Sequence, residues 1–83
     1  MVRRLIVMRH AKSSWKDPNL DDHERPLNKR GMRDAPIVAD AISDRGWTPD
    51  LILVSSSKRT LQTLEGMSHR MGNTPFEVRS GIY

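Results

Sequence analysis

Three short apolar blocks stand out along the chain, separated by longer polar stretches. Residues 5–8 read Leu-Ile-Val-Met, residues 51–54 read Leu-Ile-Leu-Val, and residues 76–79 read Phe-Glu-Val-Arg. Short unbroken apolar runs are typical of buried parallel strands, and alternation is typical of a half-buried strand. The pattern therefore predicts strands over residues 4–8, 51–54 and 76–79.

Between these blocks, apolar residues recur every three to four positions, which predicts two amphipathic helices. The first extends from an Asn28 cap to about Asp44, and Pro36 is expected to kink it or delay its start. The second extends from about Lys58 to Met71 and follows a serine-rich turn. The predicted inner faces are Met32, Ala35, Val38 or Ala39, and Ile42 on the first helix, and Leu61, Leu64, Met67 or Ser68, and Met71 on the second.

The resulting order, β-α-β-α-β, predicts the α/β class with a mostly parallel sheet and right-handed crossovers. The 83 residues suffice for one small domain at most. Two helices cannot cover both faces of a three-stranded sheet, and the last strand leaves an open edge. We therefore expect residues 1–83 to form part of a larger domain and, in isolation, to self-associate or melt easily.

Charge and composition exclude several classes of function. The net charge is +4, but 14 Lys and Arg are interleaved with 10 Asp and Glu, and the few aromatic residues are scattered. Because nucleic-acid-binding segments usually carry basic blocks or aromatic platforms, a smaller anionic ligand is the better expectation. The absence of cysteine excludes disulfides and thiolate metal sites. No apolar run is long enough for a signal peptide or a membrane span, so we expect no membrane contact and a cytoplasmic location.

Polar residues whose side chains can bind or attack a phosphoryl group follow the first predicted strand. Arg9 and His10 come directly after it, where open α/β sheets bind their ligands. A guanidinium can hold phosphoryl oxygens, and an imidazole can attack phosphorus. Taken alone, this dipeptide is more often a polar strand end with an ordinary surface ion pair.

A second candidate site lies at the same end of the next strand. Ser55, Ser56 and Ser57 precede Lys58 and Arg59 at the start of a helix, and free amides, hydroxyls and cations together bind anions. By itself this stretch is an ordinary serine cap. Two such sites at matching strand ends would, however, converge on one ligand.

The acidic segment 21–24, Asp-Asp-His-Glu, is a further cluster of potential ligands. Its spacing matches no metal-binding motif, so we expect a solvated acidic loop and no metal site.

Three motifs in order resemble the histidine phosphatase superfamily, which has the phosphoglycerate mutase-like fold, and within it the SixA-type phosphohistidine phosphatases. They are Arg-His-Ala-Lys-Ser at residues 9–13, Arg-Pro-Leu-Asn-Lys-Arg-Gly at residues 25–31, and the strand, serine turn and Arg-Thr-Leu-Gln-Thr helix at residues 49–63. The resemblance implies a three-layer α/β/α domain, of which residues 1–83 are the N-terminal portion.

The resemblance also implies a mechanism. His10 is the expected nucleophile, forming a phosphohistidine intermediate; Arg9 and Arg59 bind the phosphoryl oxygens; and Ser13 matches a weaker phosphate-side position. The expected reaction is hydrolysis of a phosphohistidine or phosphomonoester, on a small molecule or a phosphoprotein, without metal or cofactor. Family members carry a second catalytic histidine and a carboxylate acid in later segments, and neither has a matching position here. A non-catalytic phosphate- or phosphopeptide-binding module and an inactive fragment remain the alternatives.

Overall fold

A computed structural model describes residues 4–82 of the chain, and these residues form a small α/β unit. Two parallel strands pair in register, with Ile52 opposite Phe76 and Ser55 opposite Arg79. Helices connect the strands and pack beside them. The elements are a 3-10 turn Asp22–Glu24, α1 Lys29–Asp44, β1 Ile52–Ser55, α2 Lys58–Gly66, α3 Ser68–Met71, β2 Phe76–Arg79 and a final 3-10 turn Ser80–Ile82.

Helix α1 begins and ends where the sequence predicts. The Asn28 side chain accepts a hydrogen bond from the Gly31 amide at 2.8 Å, and Gly46 adopts a left-handed φ of 71° after the last turn. Pro36 lies inside the helix and does not delay its start. A late start was therefore a wrong expectation, because the Asn28 cap stabilises the first turn independently of Pro36.

The buried face of α1 is built from small residues. Gly31, Ala35 and Ala39 are buried at four-residue intervals, whereas Met32 is 54% exposed and Val38 39% exposed. The prediction that Met32 lies on the inner face was therefore wrong. Small residues let the neighbouring backbone approach closely, so the helix buries its glycine and alanines instead of its larger side chains.

The core lies between α1 and the last two helices. Ala35 and Ala39 pack against Met67 and Met71, with Ile42 and Ile52 partly buried against them. A Cβ on Gly66 would lie only 2.8 Å from the Ala35 Cβ, so α1 and α2 approach closely at this point.

The continuous helix predicted over residues 58–71 is interrupted at Met67. The Met67 amide donates to the Leu64 carbonyl, a tighter turn than an α-helix makes. Thr63, Met67 and Met71 form the buried stripe, while Leu61, predicted inside, is 36% exposed. Gly66 allows α2 to lie close to α1, and the tighter turn that follows it places Met67 and Met71 in the core.

The strand predicted over residues 4–8 is absent from the described residues, and this prediction was wrong. Leu5 and Val7 are each 87% exposed, and the sheet of residues 4–82 contains only β1 and β2. A strand exists through ladder hydrogen bonds to a neighbour, and residues 5–8 pair with neither strand. The following residues pair instead with the segment just before α1, through an antiparallel bridge between Ser13 and Leu27.

The two-stranded sheet leaves much apolar surface uncovered. Leu53, Phe76 and Val78 are each about half exposed, and every residue of β2 is exposed. Within residues 4–82, no helix is long and apolar enough to cross a membrane.

A polar cluster joins α1 to α3 on the surface. His69 Nε2 donates to Asp40 Oδ1 at 2.7 Å, and Arg70 Nε donates to the same oxygen at 2.9 Å. The hydrogen bond from His69, followed by that from Arg70, lowers the pKa of Asp40 below its ordinary value. A carboxyl whose pKa is lowered by folding stabilises the fold above its unfolded pKa, and this stabilisation is lost as the pH falls through the folded pKa.

We expect Asp40→Asn to lower the melting temperature modestly at neutral pH, because the cluster is exposed. The difference from the wild-type chain should shrink as the pH falls from the ordinary carboxyl pKa through the lowered pKa of folded Asp40, since only below the latter is Asp40 protonated in both states. Melting curves of both proteins between pH 7 and pH 2 measure this. A difference that stays constant with pH would contradict the assignment.

Candidate active site

The segment after residue 8 borders a cavity of about 390 Å³. Arg9, His10 and Ser13, all predicted site residues, line it together. The other lining residues are Ala11, Lys12, Trp15, Arg25, Arg30 and Asp34. The lining carries four cationic side chains and a single carboxylate, a balance that favours an anionic ligand.

The hydrogen bond of His10 fixes its tautomer. Its Nδ1 lies 2.6 Å from the carbonyl oxygen of Ala11. Because a carbonyl oxygen only accepts, Nδ1 carries the proton, and Nε2 of the neutral ring has the free lone pair. His10 is thus oriented with Nε2 available as a nucleophile.

Helix α2 anchors the segment that carries His10. The Ala11 amide donates to Thr63 Oγ1 at 3.0 Å, and this hydroxyl donates to the Arg59 carbonyl at 2.8 Å. Thr63 is only 4% exposed. Thr63, in the third motif (residues 49–63), therefore fixes the backbone of the first motif (residues 9–13).

Helix α1 anchors the same segment from the other side. The Asn28 amide donates to the Lys12 carbonyl at 2.9 Å, and Gly31 lies directly against the Lys12 backbone. The segment of His10 is therefore held between the start of α1 and the middle of α2, without a strand ladder.

Arg25 is a cavity residue to which the sequence analysis gave no role. It is 7% exposed; its Nη2 donates to Ser13 Oγ at 2.7 Å, and its guanidinium carbon lies 3.4 Å from the centroid of the Trp15 ring. Its Nε is buried without a hydrogen-bond partner in the described part of the chain. The polar loop gave no indication of its burial, and its place at the start of the second motif, residues 25–31, was the signal that could have indicated a role.

Arg59 lies beside the cavity and does not line it. Its Nη1 donates to the Asp22 carbonyl at 2.6 Å and its Nη2 to Asp22 Oδ2 at 3.1 Å. The other Asp22 oxygen, Oδ1, accepts from Arg25 Nη1 at 2.9 Å. One carboxylate thus connects Arg59 to the cavity residue Arg25.

The acidic residues of segment 21–24 are exposed, as expected of a solvated acidic loop, and Asp22 in addition has two arginine partners. Among residues 4–82, no group of three or more side chains is arranged to hold a metal ion.

The hydroxyls of the serine turn bond within the chain. Ser57 Oγ lies 2.9 Å from Thr60 Oγ1, which donates to the Ser55 carbonyl at 2.8 Å. Ser57 is 1% exposed. These contacts fix the junction of β1 and α2, and thereby the start of the helix that carries Arg59.

Comparison with known proteins places this geometry in a family. Residues 5–82 match the model of the histidine phosphatase superfamily (branch 1). The chain is 55% identical over 65 residues to an uncharacterized chloroplastic protein of Arabidopsis thaliana, covering 78% of this chain and 30% of that protein.

Two solved structures are similar in fold. One, from Agrobacterium tumefaciens and assigned as phosphohistidine phosphatase SixA, has a TM-score of 0.84 and 36% identity, covering 92% of this chain and 49% of that one. The other, protein histidine phosphatase SixA complexed with tungstate, has a TM-score of 0.76 and 28% identity, covering 87% and 46%.

The chain thus spans about half the length of these structures and about a third of its Arabidopsis relative. The family match extends over residues 5–82 and includes all three motifs, and the similar structures share the SixA type. The chain belongs to the histidine phosphatase superfamily, branch 1.

Proposed function

We propose that the chain carries the nucleophile and phosphoryl-binding side chains of a metal-independent phosphatase. The reaction is hydrolysis of a phosphohistidine or phosphomonoester through a phosphohistidine intermediate on His10. The observation that carries the proposal is that Arg9, His10, Ser13 and Arg25 all line the same cavity. The tungstate bound to a similar SixA structure supports it, because tungstate is a tetrahedral oxyanion like phosphate.

In the proposed reaction, His10 Nε2 attacks phosphorus as the bond to the leaving group breaks, and the leaving group takes up a proton. Water then attacks the phosphohistidine, which releases inorganic phosphate and restores the neutral imidazole. Guanidinium groups bind the equatorial oxygens, where charge accumulates in the transition state. We assign this role to Arg9 and Arg59, with Ser13 as a weaker hydrogen-bonding partner.

We further propose that residues 1–83 are the N-terminal portion of a single histidine phosphatase domain that acts in the cytoplasm on a phosphorylated small molecule or phosphoprotein. The partial coverage of the similar structures supports the first part of this proposal. Self-association of the 83-residue chain, through its uncovered apolar surface, also remains a prediction.

Two assays on the chain test the proposed function. Calorimetry with inorganic phosphate measures binding, and phosphate release from a phosphomonoester and from phosphohistidine measures turnover. Binding with release supports a phosphatase, and binding without release indicates a phosphate-binding module. The absence of both would contradict the proposal.

We expect Arg59→Lys to weaken phosphate binding about tenfold, although it preserves the charge. An ammonium group cannot reproduce the planar pair of donors that a guanidinium presents. Titration calorimetry with phosphate or vanadate measures the effect. Arg79→Lys is the matched control, because Arg79 is exposed on β2, pairs with Glu77 and does not line this cavity. Equal affinity in both variants would show that Arg59 has no part in phosphate binding.

A further inference from the structure

The carboxylate of Asp22 lies between two arginines that are far apart in the sequence. Oδ1 accepts from Arg25 Nη1 and Oδ2 from Arg59 Nη2, so each oxygen binds a different guanidinium. We infer that Asp22 is a positioning residue, which fixes Arg25 and Arg59 as one phosphoryl-binding pair. This inference rests on the proposed function, and it adds Arg25 to the phosphoryl-binding side chains.

Burial makes this bridge necessary. Arg25 has a side chain 9% exposed and Arg59 one 13% exposed, so both cations have lost most of their water. Two such guanidiniums repel each other, and a buried charge without a partner is strongly unfavourable. A carboxylate between them pairs with both guanidiniums, offsets part of their combined charge and sets their separation.

The local chain places Asp22 where this bridge requires it. Asp22 begins the 3-10 turn Asp22–Glu24, and the Arg25 amide donates to its carbonyl at 3.2 Å. The turn therefore brings the Asp22 side chain and the Arg25 side chain, three residues later, to the same side. Asp22 itself is about half exposed, so its carboxylate retains part of its hydration.

The backbone contact of Arg59 gives this arginine a second attachment to the turn. Arg59 Nη1 donates to the Asp22 carbonyl oxygen while Nη2 donates to the carboxylate, so the turn holds the guanidinium at two points. Arg25, at the other end of the bridge, lines the cavity with His10 and has a buried Nε without a partner in the described residues.

The test compares Asp22→Ala with Asp21→Ala, using inorganic phosphate as the probe. Asp21 is the matched control, because it has the same charge in the same exposed loop and its side chain makes no capping hydrogen bond. We expect Asp22→Ala to weaken phosphate binding about tenfold, as loss of a residue that orients ion-binding groups does elsewhere. Asp21→Ala should change the affinity by less than about twofold, since the Asp21 side chain is exposed and solvent screens its charge.

A second readout separates positioning from a general loss of structure. The Nε–H NMR signals of Arg25 and Arg59 should both shift in Asp22→Ala and remain in place in Asp21→Ala, while backbone amide signals of α1 stay unchanged. If Asp22→Ala fails to fold, Asp22→Asn takes its place, because the amide keeps the shape but loses one of the two acceptor oxygens.

The outcomes are distinguishable. Unchanged or tighter phosphate binding in the Asp22 variant would overturn the inference and leave the proposed function standing, with tighter binding identifying the carboxylate as a competitor. A wild-type chain that binds no phosphate would overturn the proposed function, and this inference with it.

Discussion

His10→Ala should abolish turnover, with a loss of about a thousandfold or more in kcat, because the variant lacks the nitrogen that forms the covalent intermediate. In the proposed mechanism Nε2 is the attacking atom, since Nδ1 is bonded to the Ala11 carbonyl oxygen. Phosphate binding should persist, since the arginines remain. Steady-state release of phosphate, with calorimetry in parallel, measures the two effects separately.

His69→Ala is the control for this prediction. His69 is an exposed histidine on α3 that bonds to Asp40, and it does not line the cavity. This variant should retain wild-type kcat. Substantial turnover in His10→Ala would remove His10 from the mechanism.

Gly31→Ala should destabilise the fold despite the higher helix propensity of alanine. A Cβ at this position would overlap the Lys12 carbonyl oxygen and lie 3.0 Å from the Lys12 nitrogen, and both are backbone atoms that cannot rotate away. We expect a net loss of about 2 kcal/mol in the free energy of unfolding, because overpacking outweighs the propensity gain of about 1 kcal/mol. In a chain of this size, that corresponds to a melting temperature lower by roughly 10 °C.

Gly81→Ala provides the comparison, since a Cβ there would meet no atom within 4 Å. Its melting temperature should match that of the wild-type chain. If Gly31→Ala melts at the wild-type temperature, the contact between α1 and the Lys12 backbone is not as close as described. Because Lys12 lies two residues from His10, the destabilised variant should also bind phosphate more weakly.

The elements with strong local signals were predicted from the sequence. The Asn28 cap and Gly46 delimit α1, and the apolar run and the alternation predict β1 and β2 within one residue. The bounds of these elements depend on neighbouring residues, so sequence periodicity and capping rules are sufficient to find them. The grouping of Arg9, His10 and Ser13 was implied by the resemblance of residues 9–13 to a family motif, and the three residues line one cavity.

The features that were missed depend on distant contacts. The apolar run at residues 5–8 has the composition of a strand, but a strand also needs a paired neighbour, which residues 4–82 do not provide. The turn at Met67 depends on the close approach of Gly66 to Ala35. The burial of Arg25 depends on Trp15, Ser13 and Asp22. None of these contacts has a signature in a single sequence.

The most direct test of the central claim is to identify the phosphorylated atom. The chain is incubated with a phosphoryl donor such as acetyl phosphate, quenched rapidly at high pH, where phosphohistidine survives, and analysed by peptide mass spectrometry. We predict a phosphoryl group on His10 that disappears on acid treatment. Phosphorylation at another residue, with His10 unmodified under conditions of measurable turnover, would contradict the proposed mechanism.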